Sequence, residues 1–232
     1  VEKYGRLKSL KTVAYLYLIS ALGSALIVNW YSFLFFRFIG GLAVGASSVV
    51  GPMYIAEVSP SHWRGRFVTY CQSNIVLGLV IAYLSNYCIS GIPNDWQWML
   101  GVLAIPALLF GILLNTVPES PRWLVKKHRD EQARQSLIKI GETDVDKELA
   151  EIEASLSSDT GSNEGLFQRK YLKPLLYAFF IATFNQLSGI NSILYYAPRI
   201  FELSGVFHNS AMMQSIIIGL TNLTFTMIGM VL

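Results

Sequence analysis

The sequence predicts an all-α polytopic membrane protein, and three observations support this fold class. The 232-residue chain is 53% hydrophobic and only 14% charged, whereas a soluble globular chain is about 25% charged. Six long stretches contain no Asp, Glu, Lys or Arg. The basic residues are concentrated between alternate stretches. The low charge argues against a soluble enzyme, and the apolar content excludes a disordered chain.

The six uncharged stretches, trimmed to their apolar parts, predict six transmembrane helices. They cover residues 12–29, 33–55, 67–89, 97–116, 175–196 and 212–232. Each meets or nearly meets the roughly 20 apolar residues that a helix needs to cross a bilayer. Buried helices of a large soluble protein are the alternative, but six of them in this length would leave too little polar surface to cover them.

The polar segment 118–173 between the fourth and fifth spans predicts a cytoplasmic linker of short helices. Leu149, Ile152 and Leu156 share one stripe of a helix, which indicates packing against the cytoplasmic ends of the spans. The predicted organisation is therefore residues 1–117 with four spans, the linker, and residues 174–232 with two spans.

The basic residues predict the orientation of the chain in the membrane. If residues 1–11 are cytoplasmic, the inside segments hold 16 of the 18 Lys and Arg residues, as the positive-inside rule requires. Residues 1–11 and 118–173 are then cytoplasmic, in a multi-pass protein of the inner or plasma membrane. Because the chain lacks an initiator Met and stops inside an apolar run, we expect it to be a piece of a longer protein.

The fifth predicted span is the most polar of the six. Its residues at membrane depth include Asn185, Gln186, Ser188, Asn191 and Ser192. Amide side chains donate and accept hydrogen bonds without carrying charge, which suits an uncharged polyhydroxylated ligand. For any single amide, hydrogen bonding between helices is the alternative.

Gly189 and Pro198 predict that this span bends or breaks, as helices at transporter binding sites often do. On a continuous helix, Asn185, Gly189, Ser192 and Tyr196 would share one face. Gln186 and Asn191 would flank that face.

Gln72 in the third span and Asn222 in the sixth are isolated amides, for which bonding between helices and ligand binding both remain open. Arg37 is a charge inside an apolar segment, and we expect it to snorkel or to have a structural partner. Glu57 and Arg64 flank the cytoplasmic end of the second span. Their spacing predicts a latch between them, with solvated surface charge as the alternative.

Chemical catalysis is not indicated by the sequence. It contains no nucleophile–base set, phosphate-binding loop or metal-ligand spacing, so we predict neither an enzyme nor a metal site. Cys71 and Cys88 would lie roughly 25 Å apart on one helix, too far for a disulfide.

Four segments, in order along the chain, resemble signatures of the sugar porters of the major facilitator superfamily. They are EKYGRLK (2–8), RFIGGLAVGASSVVGPMYIAEVSPSHWRGR (37–66), PESPRWL (118–124) and NQLSGINSILYYAP (185–198). The resemblance implies that the six spans are helices three to eight of twelve. It also implies a fold of two six-helix bundles that give alternating access to a central sugar site.

The resemblance implies roles for individual residues. Gln72, Gln186 and Asn191 stand where the family hydrogen-bonds sugar hydroxyls, and Asn185 replaces a Gln that is one methylene longer. Asn222 joins these substrate-binding candidates because of its amide chemistry. The gating candidates are Tyr195 and Tyr196, and the cytoplasmic latch candidates are Glu57, Arg64, Arg6, Glu119 and Arg122.

The function implied by the resemblance is secondary transport of a pentose or hexose, with protons as the possible coupling ion and no other cofactor. The pathway portions of the predicted spans contain no carboxylate, so symport and facilitated diffusion both remain open. A sugar sensor and a facilitator for another uncharged solute are the alternatives. The expected partners are a monosaccharide and membrane lipids, with no nucleic acid and no required oligomer.

Overall fold

The computed structural model describes residues 2–27, 29–60, 63–142, 144–159, 171–205 and 207–231. Within these ranges the chain forms twelve α-helices and no β-strand. The helices are α1 (Arg6–Leu26), α2 (Trp30–Val58), α3 (Arg64–Ile89), α4 (Asp95–Gly101), α5 (Ala104–Leu113), α6 (Pro121–Lys126), α7 (Asp130–Ile140), α8 (Val145–Asp159), α9 (Leu172–Leu187), α10 (Ile190–Tyr195), α11 (Ala197–Leu203) and α12 (His208–Val231).

Five helical stretches in the described part of the chain are long and apolar enough to cross a membrane. They are Arg6–Leu26, Trp30–Val58, Gly65–Ile89, Asp95–Leu113 and Ser210–Met230. They correspond to five of the six predicted spans. The predicted span 175–196 is helical but interrupted, and the 16-residue α9 has a length of only about 24 Å. The interruption lies at Gly189, where the sequence predicts that this span bends or breaks.

The fourth spanning stretch is also interrupted, between α4 and α5, although the sequence predicts a single helix over 97–116. Pro106 has no N–H to donate to the carbonyl of Val102 four residues earlier. The N–H of Ile105 donates to that carbonyl instead, at 3.0 Å, in a tighter turn.

Helices α1 and α2 pack closely because two glycines leave room at their crossing. A Cβ on Gly23 would lie 2.2 Å from Cδ1 of Phe36, and one on Gly40 would lie 2.5 Å from Oγ of Ser20. A side chain at either position would force Phe36 or Ser20 to shift. Gly41 and Gly45, which form a GxxxG pair, have nothing within 4 Å of an added Cβ.

The linker helices α6, α7 and α8 form a small hydrophobic cluster of their own. Its buried residues are Trp123, Leu124, Val125 and Ala133, against which Leu149, Ile152 and Leu156 pack. The predicted stripe on α8 therefore exists, but it packs on the other linker helices rather than on the ends of the spans.

The first and last parts of the chain meet where α12 packs along α3. Tyr83 on α3 donates a hydrogen bond from its hydroxyl to the carbonyl of Leu194 on α10. Helix α12 also packs closely against the Tyr83 ring: a Cβ added to Gly219 of α12 would lie 3.0 Å from that ring. Cys71 and Cys88 on α3 are free thiols, as their separation predicts.

Candidate functional site

A broken helix lies at the centre of the polar segment that the sequence singles out. Helix α9 ends at Leu187, and α10 begins at Ile190 after Gly189, which has a left-handed backbone with φ of +73°. Glycine adopts this conformation without the steric cost that a side chain brings. A second interruption follows at Tyr196, and Pro198 lies in the first turn of α11. The break predicted from Gly189 and Pro198 is thus present.

Two of the predicted binding amides meet across this break. The Asn191 side-chain N–H donates to Oε1 of Gln186 at 3.0 Å, and both side chains are exposed. The bond orients the pair but leaves the Gln186 amide N–H groups and the Asn191 carbonyl oxygen able to bind a ligand. The pair therefore offers donors and an acceptor side by side, without charge.

The interruption changes which residues lie together. A continuous helix would place Asn185 and Ser192 on one face, with Gln186 and Asn191 flanking it. Because the chain turns at Gly189, Gln186 and Asn191 face one another instead. The face expected for a continuous helix therefore does not describe how Gln186 and Asn191 are arranged across the break.

Of the other amide candidates, Asn222 shares a cavity with the broken helix, whereas Asn185 and Gln72 are exposed on their own helices. Asn222 on α12 lines a cavity of about 340 Å³ together with Ile190 and Leu194 of α10, so it lies beside the broken helix. Asn185 is exposed on α9, and Gln72 is exposed on α3. No hydrogen bond among the described residues joins Gln72 to the amides of the break.

The tyrosine candidates lie at the second interruption. Tyr195 is 72% exposed and Tyr196 is 65% exposed, so neither side chain is enclosed by the described helices. Tyr83, which the sequence reasoning missed, binds the backbone beside them through Leu194. It follows Gln72 by eleven residues, a spacing that returns to the same side of a helix and could have drawn attention to it.

At the predicted cytoplasmic end, Arg6 and Glu57 form a nearly buried ion pair. Nε of Arg6 donates to Oε2 of Glu57 at 2.8 Å, and Nη2 donates to Oε1 at 2.9 Å. The side chains are only 8% and 12% exposed. The Ser120 hydroxyl donates to Oε2 of Glu57 at 2.5 Å. This bidentate geometry fixes the start of α1 to the end of α2.

Glu119 completes this cluster by capping α1. Its Oε1 accepts the backbone N–H groups of Arg6 at 3.1 Å and Leu7 at 3.0 Å. A carboxylate at a helix N-terminus satisfies otherwise unpaired N–H groups and interacts favourably with the helix dipole. Gly5, with φ of +95°, leaves room for it, since an added Cβ would lie 2.7 Å from Oε2 of Glu119.

The structure thus brings together Arg6, Glu57 and Glu119 of the predicted latch. Arg122 lies in α6, just after this cluster. The side chain of Arg64 lies outside the described residues, so its contact with Glu57 stays a prediction. The sequence reasoning missed Ser120, although a Ser directly before Pro at a helix start is a recognisable N-cap signal; its oxygen accepts the Trp123 N–H at 3.2 Å.

Arg37 has an aromatic partner near the outer end of α2. Its guanidinium carbon lies 5.4 Å from the centroid of the Phe33 ring, a distance at which cation–π attraction operates. It also lines a cavity of about 480 Å³ between α1, α2 and α5. A structural partner was one of the two expectations for this residue.

A family model described as "Sugar (and other) transporter" matches residues 1–232. The D-xylose-proton symporter of Escherichia coli (strain K12) is 38% identical over 256 residues, covering 98% of this chain and 52% of that protein. The arabinose-proton symporter of Bacillus subtilis (strain 168) is 36% identical over 240 residues, covering 100% of this chain and 52% of that protein.

A solved structure gives a similar result. The major facilitator superfamily proton:xylose symporter XylE bound to 6-bromo-6-deoxy-D-glucose superimposes with a TM-score of 0.85 and 36% identity. The match covers 99% of this chain and 54% of that one. This chain therefore spans about half the length of the relatives it matches.

Proposed function

Because the chain belongs to the Sugar (and other) transporter family, we propose that the whole protein moves a pentose or hexose across a membrane by alternating access. The predicted all-α major facilitator fold agrees with this membership, as does a multi-pass position in the inner or plasma membrane. The names of the relatives, which include xylose, arabinose and galactose proton symporters, support a proton-coupled mechanism.

The observation that carries the proposal is the Gln186–Asn191 pair across the broken helix. Two adjacent sugar hydroxyls can each donate to one amide oxygen and accept from one amide N–H, which suits this uncharged pair. A ligand that lacks one hydroxyl leaves an amide group unpaired, at a cost of about 1–3 kcal/mol. Asn185, Asn222 and Gln72 are proposed to complete the site as the surrounding helices close around the sugar.

The cytoplasmic cluster is proposed to act as a latch. Arg6, Glu57 and Glu119 join the start of α1, the end of α2 and the segment before α6, so they resist separation of these ends. Breaking a buried ion pair leaves an uncompensated charge. The joined and separated arrangements are therefore two distinct states, with no gradual series of arrangements between them. Tyr195 and Tyr196 are proposed to gate the opposite side of the sugar site.

Protons are proposed as the coupling ion, and we infer that no covalent bond is broken during turnover. The support for proton coupling is the family and the names of the relatives. The described residues contribute no carboxylate to the broken helix itself, since α9 and α10 contain no Asp or Glu. The residue that carries the proton is accordingly sought elsewhere in the whole protein.

Uptake by the purified whole protein in proteoliposomes tests the proposed function. Labelled xylose, arabinose, galactose and glucose are supplied with and without an imposed proton gradient. Accumulation above the equilibrium level only with the gradient is the expected result. Equal uptake with and without the proton gradient would indicate a facilitator. Binding without uptake would favour a sensor, and neither binding nor uptake would point to another uncharged solute.

The orientation is tested separately by labelling cysteines introduced at two acidic positions in the whole protein. Asp95→Cys should react with an impermeant maleimide from outside, and Asp130→Cys should react only from the cytoplasmic side. The reverse pattern would overturn the orientation while leaving the helix assignment unchanged.

A further inference from the structure

A groove between α1 and α5 has an apolar wall and one cationic end. It encloses about 240 Å³. Its apolar wall includes Leu18 of α1 and Leu108 and Ile112 of α5, with Lys11 and Asn115 at one end. Leu108 is 51% exposed and Ile112 is 55% exposed, so the wall is open to the surroundings of the helix pair.

The groove faces away from α2. The larger cavity of about 480 Å³, on the other side of the α1–α5 contact, includes Arg37 and Gly40 of α2. The groove includes no described residue of α2. Small residues bring α1 and α5 together within the groove, since an added Cβ on Gly111 would lie 3.6 Å from Cβ of Ala14 and both residues line it. The groove is therefore on the outer surface of the helix pair.

The cation at its end retains capacity for a ligand. Nζ of Lys11 donates to Oδ1 of Asn115 at 2.8 Å, which uses one of the three ammonium protons. The Asn115 amide N–H group is directed to the carbonyls of Gly111 and Ile112, so it does not compete for the same ligand. No carboxylate among the described residues forms an ion pair with Lys11.

The depth of these groups matches that of a phospholipid. The spanning helix begins at Arg6, but its uncharged run begins only after Lys11. We therefore expect Lys11 at the boundary between headgroups and hydrocarbon. Tyr15, one turn further and 67% exposed, is a residue type enriched at this interface. Basic pockets between transmembrane helices on the cytoplasmic side bind anionic headgroups. An acyl chain would lie against Leu18 and Leu108 deeper in the membrane.

We propose that this groove is a binding site for an anionic phospholipid of the cytoplasmic leaflet, with its phosphate on Lys11 and an acyl chain along α1 and α5. Charge complementarity selects this occupant: the groove supplies one cation without an acidic partner among the described residues. A zwitterionic lipid would bring a second cation to the same place. The site is independent of the sugar site and of the cytoplasmic latch.

The test uses the purified whole protein in nanodiscs that contain equal parts phosphatidylglycerol and phosphatidylcholine. Native mass spectrometry after mild delipidation measures which lipid is retained. We expect preferential retention of phosphatidylglycerol. Lys11→Gln should reduce its retention roughly fivefold, the effect of one basic residue at a membrane surface, and Lys11→Arg should preserve it. Lys8→Gln is the matched control, because Lys8 is exposed on the same helix but lines a different cavity.

A second pair of variants tests the groove without altering its charge. Leu108→Trp should fill the groove and lower phosphatidylglycerol retention, whereas Ile105→Trp should not, since Ile105 is 59% exposed on the same helix but outside the groove. Each variant must first elute as a monodisperse protein with unchanged helicity.

Four outcomes would overturn the proposal. Equal losses in Lys8→Gln and Lys11→Gln would indicate diffuse surface charge. Equal retention of both lipids, or displacement of the lipid by inorganic phosphate, would remove the specificity for a phospholipid. Unchanged retention in both Lys11→Gln and Leu108→Trp would mean that another helix of the whole protein covers the groove.

Discussion

Replacing Glu57 by Gln should destabilise the whole protein through the charge that it leaves on Arg6. Gln keeps the size of the side chain but removes the carboxylate that accepts two hydrogen bonds from Arg6, at 2.8 and 2.9 Å. Arg6 is 6% exposed, and its Nη1 is buried without a hydrogen-bond partner among the described residues. Water therefore cannot readily compensate the loss.

The expected cost follows from the burial of the pair. Removing one partner of a buried ion pair costs about 3–5 kcal/mol, and we take the lower end, about 3 kcal/mol, because some exposure remains. A double-mutant cycle with Glu57→Gln and Arg6→Gln should give a coupling free energy of about 2 kcal/mol, since the second change also removes the stranded charge. Chemical unfolding of the protein in detergent micelles, followed by tryptophan fluorescence, measures each free energy.

A matched surface pair provides the control for this cycle. Nζ of Lys126 lies 3.1 Å from Oε1 of Glu2, and the two side chains are 46% and 73% exposed. Exposed pairs of this kind couple by less than about 1 kcal/mol. If the Arg6–Glu57 coupling does not exceed that of Lys126–Glu2, the cluster is only surface charge and the latch proposal loses its physical basis.

Three further predictions concern the sugar site, the start of α1 and the α11–α12 turn. Gln186→Ala should weaken sugar binding by roughly 5- to 150-fold, which corresponds to one unpaired polar group; unchanged affinity in a binding titration would remove Gln186 from the site. Gly5→Ala should destabilise the fold by about 1–3 kcal/mol, because a φ of +95° with a ψ of 162° is a conformation that essentially only glycine adopts, and because the added Cβ would contact Glu119; an unchanged unfolding midpoint would contradict this. Hydrogen bonds from His208 and then Arg199 lower the pKa of Glu202 from its ordinary value of 4.5, so its contribution to stability is present above pH 4.5 and is lost as the pH falls through the lowered pKa. Glu202→Gln should therefore lower the thermal midpoint at pH 6 and leave it unchanged at a pH below the lowered pKa of Glu202. An equal decrease of the midpoint at both pH values would refute this role of the Glu202 carboxylate.

The break at Gly189 shows which part of a site local sequence can predict. A glycine inside an apolar span and a proline at its end are local signals, because each acts on its own backbone dihedral angles. The partner of Gln186 was not predictable in the same way. It depends on the direction in which α10 leaves the break, and a helical wheel assumes that no break exists.

The cytoplasmic cluster shows the same limit for charges. Neighbours in sequence suggest a Glu57–Arg64 contact, whereas the described partner of Glu57 is Arg6, 51 residues away. The motif resemblance assigns Arg6 to the same cluster, but the helix-capping role of Glu119 required the positions of α1 and the segment before α6. Ser120 likewise bonds Glu57 across 63 residues.

The sequence by itself determined the membrane class, five of the spanning stretches, the family and the polar character of the broken helix. These properties depend on composition, length and local conformational preference, which the chain carries without its fold. Only the tertiary structure decided that Gln186 meets Asn191 and that Arg6 pairs with Glu57. It also decided that α1 and α5 enclose a groove ending at Lys11. Such contacts join residues that are distant in sequence or separated by a break, so their geometry is set by how the helices pack.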